Sequence, residues 1–88
     1  MYQKMKLFSK DEWRKLAVSL SLSPRQSQIG RHLCSGLSDK QIANMMQISI
    51  PTVRTHLSRL FVKFDAQDRN ELVIIFFQHF RENYSANI

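Results

Sequence analysis

The chain has 88 residues, 43% of them hydrophobic and 23% charged, with only two Gly and two Pro. That is one small globular domain, and it excludes a disordered chain, a collagen-like repeat and a low-complexity tail. Thirteen Lys and Arg against seven Asp and Glu leave a net charge of +6, which suits a polyanionic partner.

Helix-start signals punctuate the chain. In a capping box, Ser, Thr, Asp or Asn is followed three residues later by Glu or Gln, and the two side chains satisfy each other's free backbone N–H groups. Ser9 with Glu12 is the first box, flanked by Phe8 and Trp13 as a hydrophobic staple. Ser23 with Gln26 is the second, with Pro24 at the first helical position, where a missing N–H costs nothing. Ser38 with Gln41 is the third, stapled by Leu37 and Ile42, and Asp68 with Glu71 is the fourth. Ser49 lacks the acid or amide but remains a good N-cap, with Pro51 in the first turn. These caps predict helices over 10–20, 24–35, 39–46, 50–64 and 69–82, with Gly36 closing the second. No period-two alternation competes, so the expected fold is all-α, a helix-turn-helix bundle of four helices with one extra N-terminal helix.

The first predicted helix, in the extension 1–22, carries Trp13, Leu16, Ala17 and Leu20 at helical spacing. The stripe reads as packing onto the core, with a partner-binding groove as the alternative. Lys4, Lys6, Lys10, Arg14 and Lys15 are solvated surface or added phosphate contacts.

The short third helix and the longer fourth are separated by about three residues, as in a helix-turn-helix whose second helix enters the DNA major groove. On the fourth helix, Val53, Leu57, Leu60, Phe61 and Phe64 share one face by the 100° step, and Pro51, Arg54, Thr55, Ser58 and Val62 lie opposite. Thr52, His56, Arg59 and Lys63 flank them. From Ile50 to Phe64 there is no Asp or Glu. A carboxylate there would repel phosphate, whereas a merely solvated helix normally carries some. Arg54 suits a forked contact to guanine, and Thr55 a thymine methyl or a base edge. His56, Arg59 and Lys63 suit phosphates, with a packed structural role as the alternative for His56.

The last helix, Leu72 to Phe80, is apolar almost all round and must be covered on more than one side. This predicts a homodimer through Leu72, Val73, Phe76, Phe77 and Phe80, the alternative being that the first helix supplies the cover.

The rest of the sequence narrows the setting. No apolar run approaches the roughly 18 residues of a membrane span, and no signal peptide opens the chain, so a cytoplasmic protein without membrane contact is expected. A lone Cys34 makes no internal disulfide, and with His32 it lacks the second pair a metal site needs. No cofactor, metal or small-molecule ligand is indicated.

The stretch from Leu22 to Leu72 resembles the LuxR/FixJ-type, or GerE-like, helix-turn-helix. The matching pieces are Leu22-Ser23-Pro24-Arg25, Gly36-Leu37-Ser38-Asp39-Lys40-Gln41-Ile42-Ala43, Ile48-Ser49, Thr52-Val53-Arg54-Thr55-His56-Leu57, Lys63-Phe64 and Asp68-Arg69-Asn70-Glu71-Leu72. The resemblance covers roughly 23–80 and implies a four-helix DNA-binding domain whose last helix dimerises. By position it implies that Arg54, Thr55 and Ser58 face bases and that Ser38, Lys40, Thr52 and Lys63 touch the DNA backbone. Arg25 takes a structural or backbone-contacting role.

The chain departs from the family pattern in Gln26 for a usual Glu, Gly30 for a large aliphatic, Ser58 for a frequent base, and Pro51. Only 22 residues precede the match, too few for the receiver or ligand-binding domain the family usually carries. The sequence thus predicts a non-enzymatic transcription regulator that binds double-stranded DNA as a homodimer. RNA polymerase or another regulator is a further candidate partner. The competing reading is an interaction module that pairs with a larger regulator through 69–82 and blocks it, and a sigma-like promoter reader is a third.

Overall fold

The computed structural model describes residues 7–85, so Lys4 and Lys6 lie outside the described residues. The described chain is helical, with no strand: α1 Lys10–Ser19, α2 Pro24–Cys34, α3 Asp39–Met46, α4 Ile50–Phe64, α5 Arg69–Phe80, and a π-helical turn over Arg81–Ser85. The expected all-α fold is present, and each helix lies within two residues of its expected bounds.

The caps explain those bounds. Ser9 Oγ accepts from the Glu12 N–H at 3.1 Å, and the Glu12 carboxylate accepts from the Ser9 N–H at 2.8 Å. The Ser23–Gln26 and Ser38–Gln41 pairs repeat this geometry. At α4, Ser49 Oγ accepts from the Thr52 N–H at 3.2 Å. The fourth expected box is different. Asp68 accepts from the Glu71 N–H at 2.9 Å, but the Glu71 carboxylate takes the Gln67 N–H instead, at 3.0 Å. Asp68 is more extended (φ −156°) than the Ser38 cap (φ −75°), which presents the upstream N–H. After α2, Gly36 adopts φ 80°. Its N–H donates to Leu33 O and the Leu37 N–H to His32 O, a Schellman closure that a side chain at Gly36 would strain.

A single core joins all five helices, with Leu16, Ile29, Ile42, Val53, Leu60, Leu72 and Phe76 fully buried. The Trp13, Leu16 and Ala17 stripe of α1 points into it. Phe76 is central: its ring lies 5.6 Å from Trp13 and 5.3 Å from Phe64, edge-on to both. Here the expected dimer face needs correction. Leu72 and Phe76 have no exposed surface in the single chain, because α5 packs against α1, α2 and α4 at once, so neither can meet a second copy while the core stays closed. Phe80 also turns inward, its ring 5.2 Å from Phe8.

The structure also accounts for Gly30. A Cβ there would sit 3.0 Å from two carbons of the Trp13 indole and 3.4 Å from Phe76. The indole nitrogen donates to Ser27 O at 3.1 Å and Ser27 Oγ at 3.0 Å. The extra N-terminal helix is thus seated by a tryptophan that occupies the volume a large aliphatic at position 30 would fill.

Candidate nucleic-acid interface

The α3–α4 pair is joined by Gln47, Ile48 and Ser49. Gln47 is left-handed (φ 56°), and the Ile48 N–H donates to Ala43 O at 3.0 Å, which fixes the turn. Along α4, Val53, Leu57 and Leu60 face the core. Pro51, Thr52, Arg54, Thr55, Ser58, Arg59, Val62 and Lys63 are exposed. Val62 is 83% exposed, so an apolar side chain stands among the polar ones. His56 is half-buried at the margin.

The residues expected to meet bases are differently engaged. Thr55 donates its hydroxyl proton to Pro51 O at 3.0 Å, leaving the oxygen as an acceptor. Ser58 and Arg54 border an open groove of about 390 Å³ between α4 and the start of α5, with Asp39, Asp68 and Arg69 on its other walls. Arg54 is 68% exposed at its side chain, yet its Nε donates to Asp39 Oδ2 at 3.2 Å. The expectation of a surface without acid therefore holds for the helix but not for the surface. Folding brings Asp39, the sole acid between Ser23 and Phe64, beside the fork of Arg54. A solitary acid in a basic segment is the sequence signal that points to this pairing.

Asp39 is itself fixed. Arg69 Nη1 donates to Asp39 Oδ1 at 2.7 Å, and Arg69 Nη2 to Leu37 O at 2.6 Å. Burial alone would raise the Asp39 carboxyl. The hydrogen bonds from Arg69 and Arg54, and their charges, outweigh it and hold the group below the ordinary aspartate value.

The residues expected at phosphates are spread over three helices. Arg25 near the start of α2, Ser38 and Lys40 at the start of α3, and Thr52 and Arg59 on α4 are all exposed. The Ser38 hydroxyl serves as the α3 cap, and the Thr52 hydroxyl lies 2.8 Å from Ser49 Oγ. Lys63 reaches across to donate to Ser21 O at 2.9 Å, which brings the end of α4 beside the segment leading into α2 and Arg25. Gln26, which stands for a Glu in the family pattern, spends its side chain on the Ser23 N–H. On α5, Val73 is half-buried, while Ile74 at 55% and Phe77 at 38% exposure form an outer apolar stripe.

No other chemistry gathers among the described residues. Burial pushes the Cys34 thiol up to about 12, so it stays protonated. Burial, then the neighbouring Arg31 charge, lowers His32. Among the described residues no group of three His, Cys, Asp or Glu could hold a metal ion, and no helix is long and apolar enough to cross a membrane.

The family profile "Bacterial regulatory proteins, luxR family" matches residues 20–76. Response regulator protein VraR of Staphylococcus aureus (strain NCTC 8325 / PS 47) is 40% identical over 58 residues, 66% of this chain and 28% of that protein. Response regulator protein VraR of Staphylococcus epidermidis aligns to the same extent, as does that of Staphylococcus saprophyticus. The chain therefore spans under a third of the curated relatives it matches. No solved structure matches significantly. The ordered caps, the three-residue turn and the profile over 20–76 agree, and the chain belongs to the LuxR family of bacterial regulatory proteins through its helix-turn-helix domain.

Proposed function

We propose that the protein is a transcription regulator that binds double-stranded DNA sequence-specifically, with α4 in the major groove. One observation carries this reading: α4 buries Val53, Leu57 and Leu60 and turns outward a face of Arg54, Thr55, Ser58, Arg59 and Lys63 that bears no carboxylate of its own. Arg54 and Thr55 read base edges, with Ser58 at the rim of the adjoining groove. Arg25, Ser38, Lys40, Thr52, Arg59 and Lys63 meet the phosphates, together with the margin residue His56. Lys63 exchanges its bond to Ser21 O for a phosphate oxygen.

Two copies pair two-fold through the outer stripe of α5, Val73, Ile74 and Phe77, and so present two α4 helices to two half-sites. Leu72 and Phe76 stay in the core of each copy. Leu7, 41% exposed, borders the same apolar groove as Val73 and Ile74, which extends the patch beyond α5.

A gel-shift titration with random duplex, repeated from about 50 to 200 mM salt, tests the reading. Counterion release predicts affinity that falls steeply and log-linearly with salt. A protein that shifts no duplex at about 50 mM salt contradicts it and favours a module that pairs with another regulator through α5.

A further inference from the structure

We infer that Asp39 is a positioning residue for Arg54, and that the chain Arg69–Asp39–Arg54 sets base specificity; this rests on the base-reading role proposed for Arg54. Arg54 alone is a poor reader. It is exposed, and a free guanidinium on a flexible stem pairs as readily with any phosphate as with one base. In the structure it is not free. Asp39 Oδ2 takes the Nε–H at 3.2 Å, while the other Asp39 oxygen takes Arg69 Nη1 at 2.7 Å.

Side-chain exposure is 68% at Arg54, 22% at Asp39 and 35% at Arg69, so the carboxylate at the centre is the least exposed of the three. Arg69 is held in turn by Leu37 O at 2.6 Å, backbone of the loop that closes α2. The outer arginine is thus braced by a less exposed carboxylate, which is braced by a second arginine anchored to main chain.

The bonding leaves a usable reader. A guanidinium has five N–H donors. With Nε committed, the four protons on Nη1 and Nη2 remain, and those two nitrogens form the fork that matches the O6 and N7 acceptors of guanine. The Asp39 carboxylate also cancels part of the Arg54 charge, which weakens its pull toward phosphates in general. Asp39 therefore favours a directional contact over a diffuse one.

The test compares the wild type with Asp39→Asn, Arg54→Ala and the double variant. Each is measured by fluorescence anisotropy on the duplex the wild type selects, on that duplex altered one base pair at a time, and on random duplex. Thermal melting of each variant checks the fold. Arg54→Ala is expected to relax one base pair by roughly five- to a hundred-fold. Asp39→Asn is expected to relax that same pair by about ten-fold, to bind random duplex a few-fold more tightly, and to add almost nothing in the Arg54→Ala background. Should Asp39→Asn fail to fold, Arg69→Gln, which frees Asp39 from its anchor, is expected to relax the same pair.

The positioning role is overturned if Arg54→Ala relaxes a pair and neither Asp39→Asn nor Arg69→Gln does. It is overturned equally if Asp39→Asn has the same effect with and without Arg54. If Arg54→Ala relaxes no pair, the base-reading role itself falls, and the positioning role with it.

Discussion

Helices α4 and α5 differ in how much of their surface folding consumes. In α4, three residues are buried and the outward side is left open. In α5, Leu72 and Phe76 are sealed, Phe80 is drawn to Phe8, and His79 Nε2 lies 2.8 Å from Ser19 Oγ on α1, leaving Ile74 and Phe77 as its exposed large apolar side chains. An amphipathic helix can therefore be changed on its outer face at little cost to the fold. A helix apolar all round has few such positions. Stability in this domain should track the α1–α5 side, and DNA binding the α4 side.

The largest break in that division is expected at Trp13. Trp13→Ala removes the indole from between Gly30 and Phe76 and should cost about 3–5 kcal/mol, a large share of a small domain's stability. Urea unfolding reads this, and the comparison fails if the midpoint is unmoved.

At the binding surface, Arg54→Ala should leave the urea midpoint nearly unchanged and cost about 1–3 kcal/mol of discrimination at one base pair. A large fall in stability would show that α4's outer face is part of the fold after all.

Next comes Gly30. An Ala there gains about 1 kcal/mol of helix propensity. Its Cβ, however, meets two rigid indole carbons at 3.0 Å, and overpacking costs about 1–3 kcal/mol. Gly30→Ala should therefore destabilise the wild type and stabilise a Trp13→Leu background, a change of sign visible in thermal melting.

Smaller still is Lys63→Ala, which should weaken all duplexes alike and lower the salt slope by about one. The least effect is acid sensitivity. The folded Asp39 carboxyl holds its proton less tightly than the unfolded one. The unfolded chain thus takes up more protons on acidification, and stability present above the ordinary aspartate pKa is lost as pH falls through the folded value. Asp39→Asn should remove that part of the acid-unfolding curve.

Much of the architecture was legible because it is locally encoded. Ser9, Ser23, Ser38 and Ser49 each sit within three residues of the N–H they cap, so the helix starts could be read without tertiary knowledge. The buried face of α4, Val53, Leu57 and Leu60, is legible for the same reason, because the 100° step is local. What was not legible depends on distant partners. The mate of Arg54 lies 15 residues away, and the anchor of Asp39 lies 30. The inward turn of Leu72 and Phe76 depends on three other helices meeting at α5, and in a helix with no polar face periodicity gives no direction. Gly30 is legible only as a departure from the family pattern, because its reason, Trp13, belongs to another helix.

Selection of duplexes from a random pool by the wild type and by Arg54→Ala, side by side, tests the central claim most directly. The account predicts a two-fold symmetric motif from the wild type and, from the variant, the same motif with one position per half-site relaxed. A variant that recovers the wild-type motif unchanged, or a wild type that enriches no motif, would contradict it.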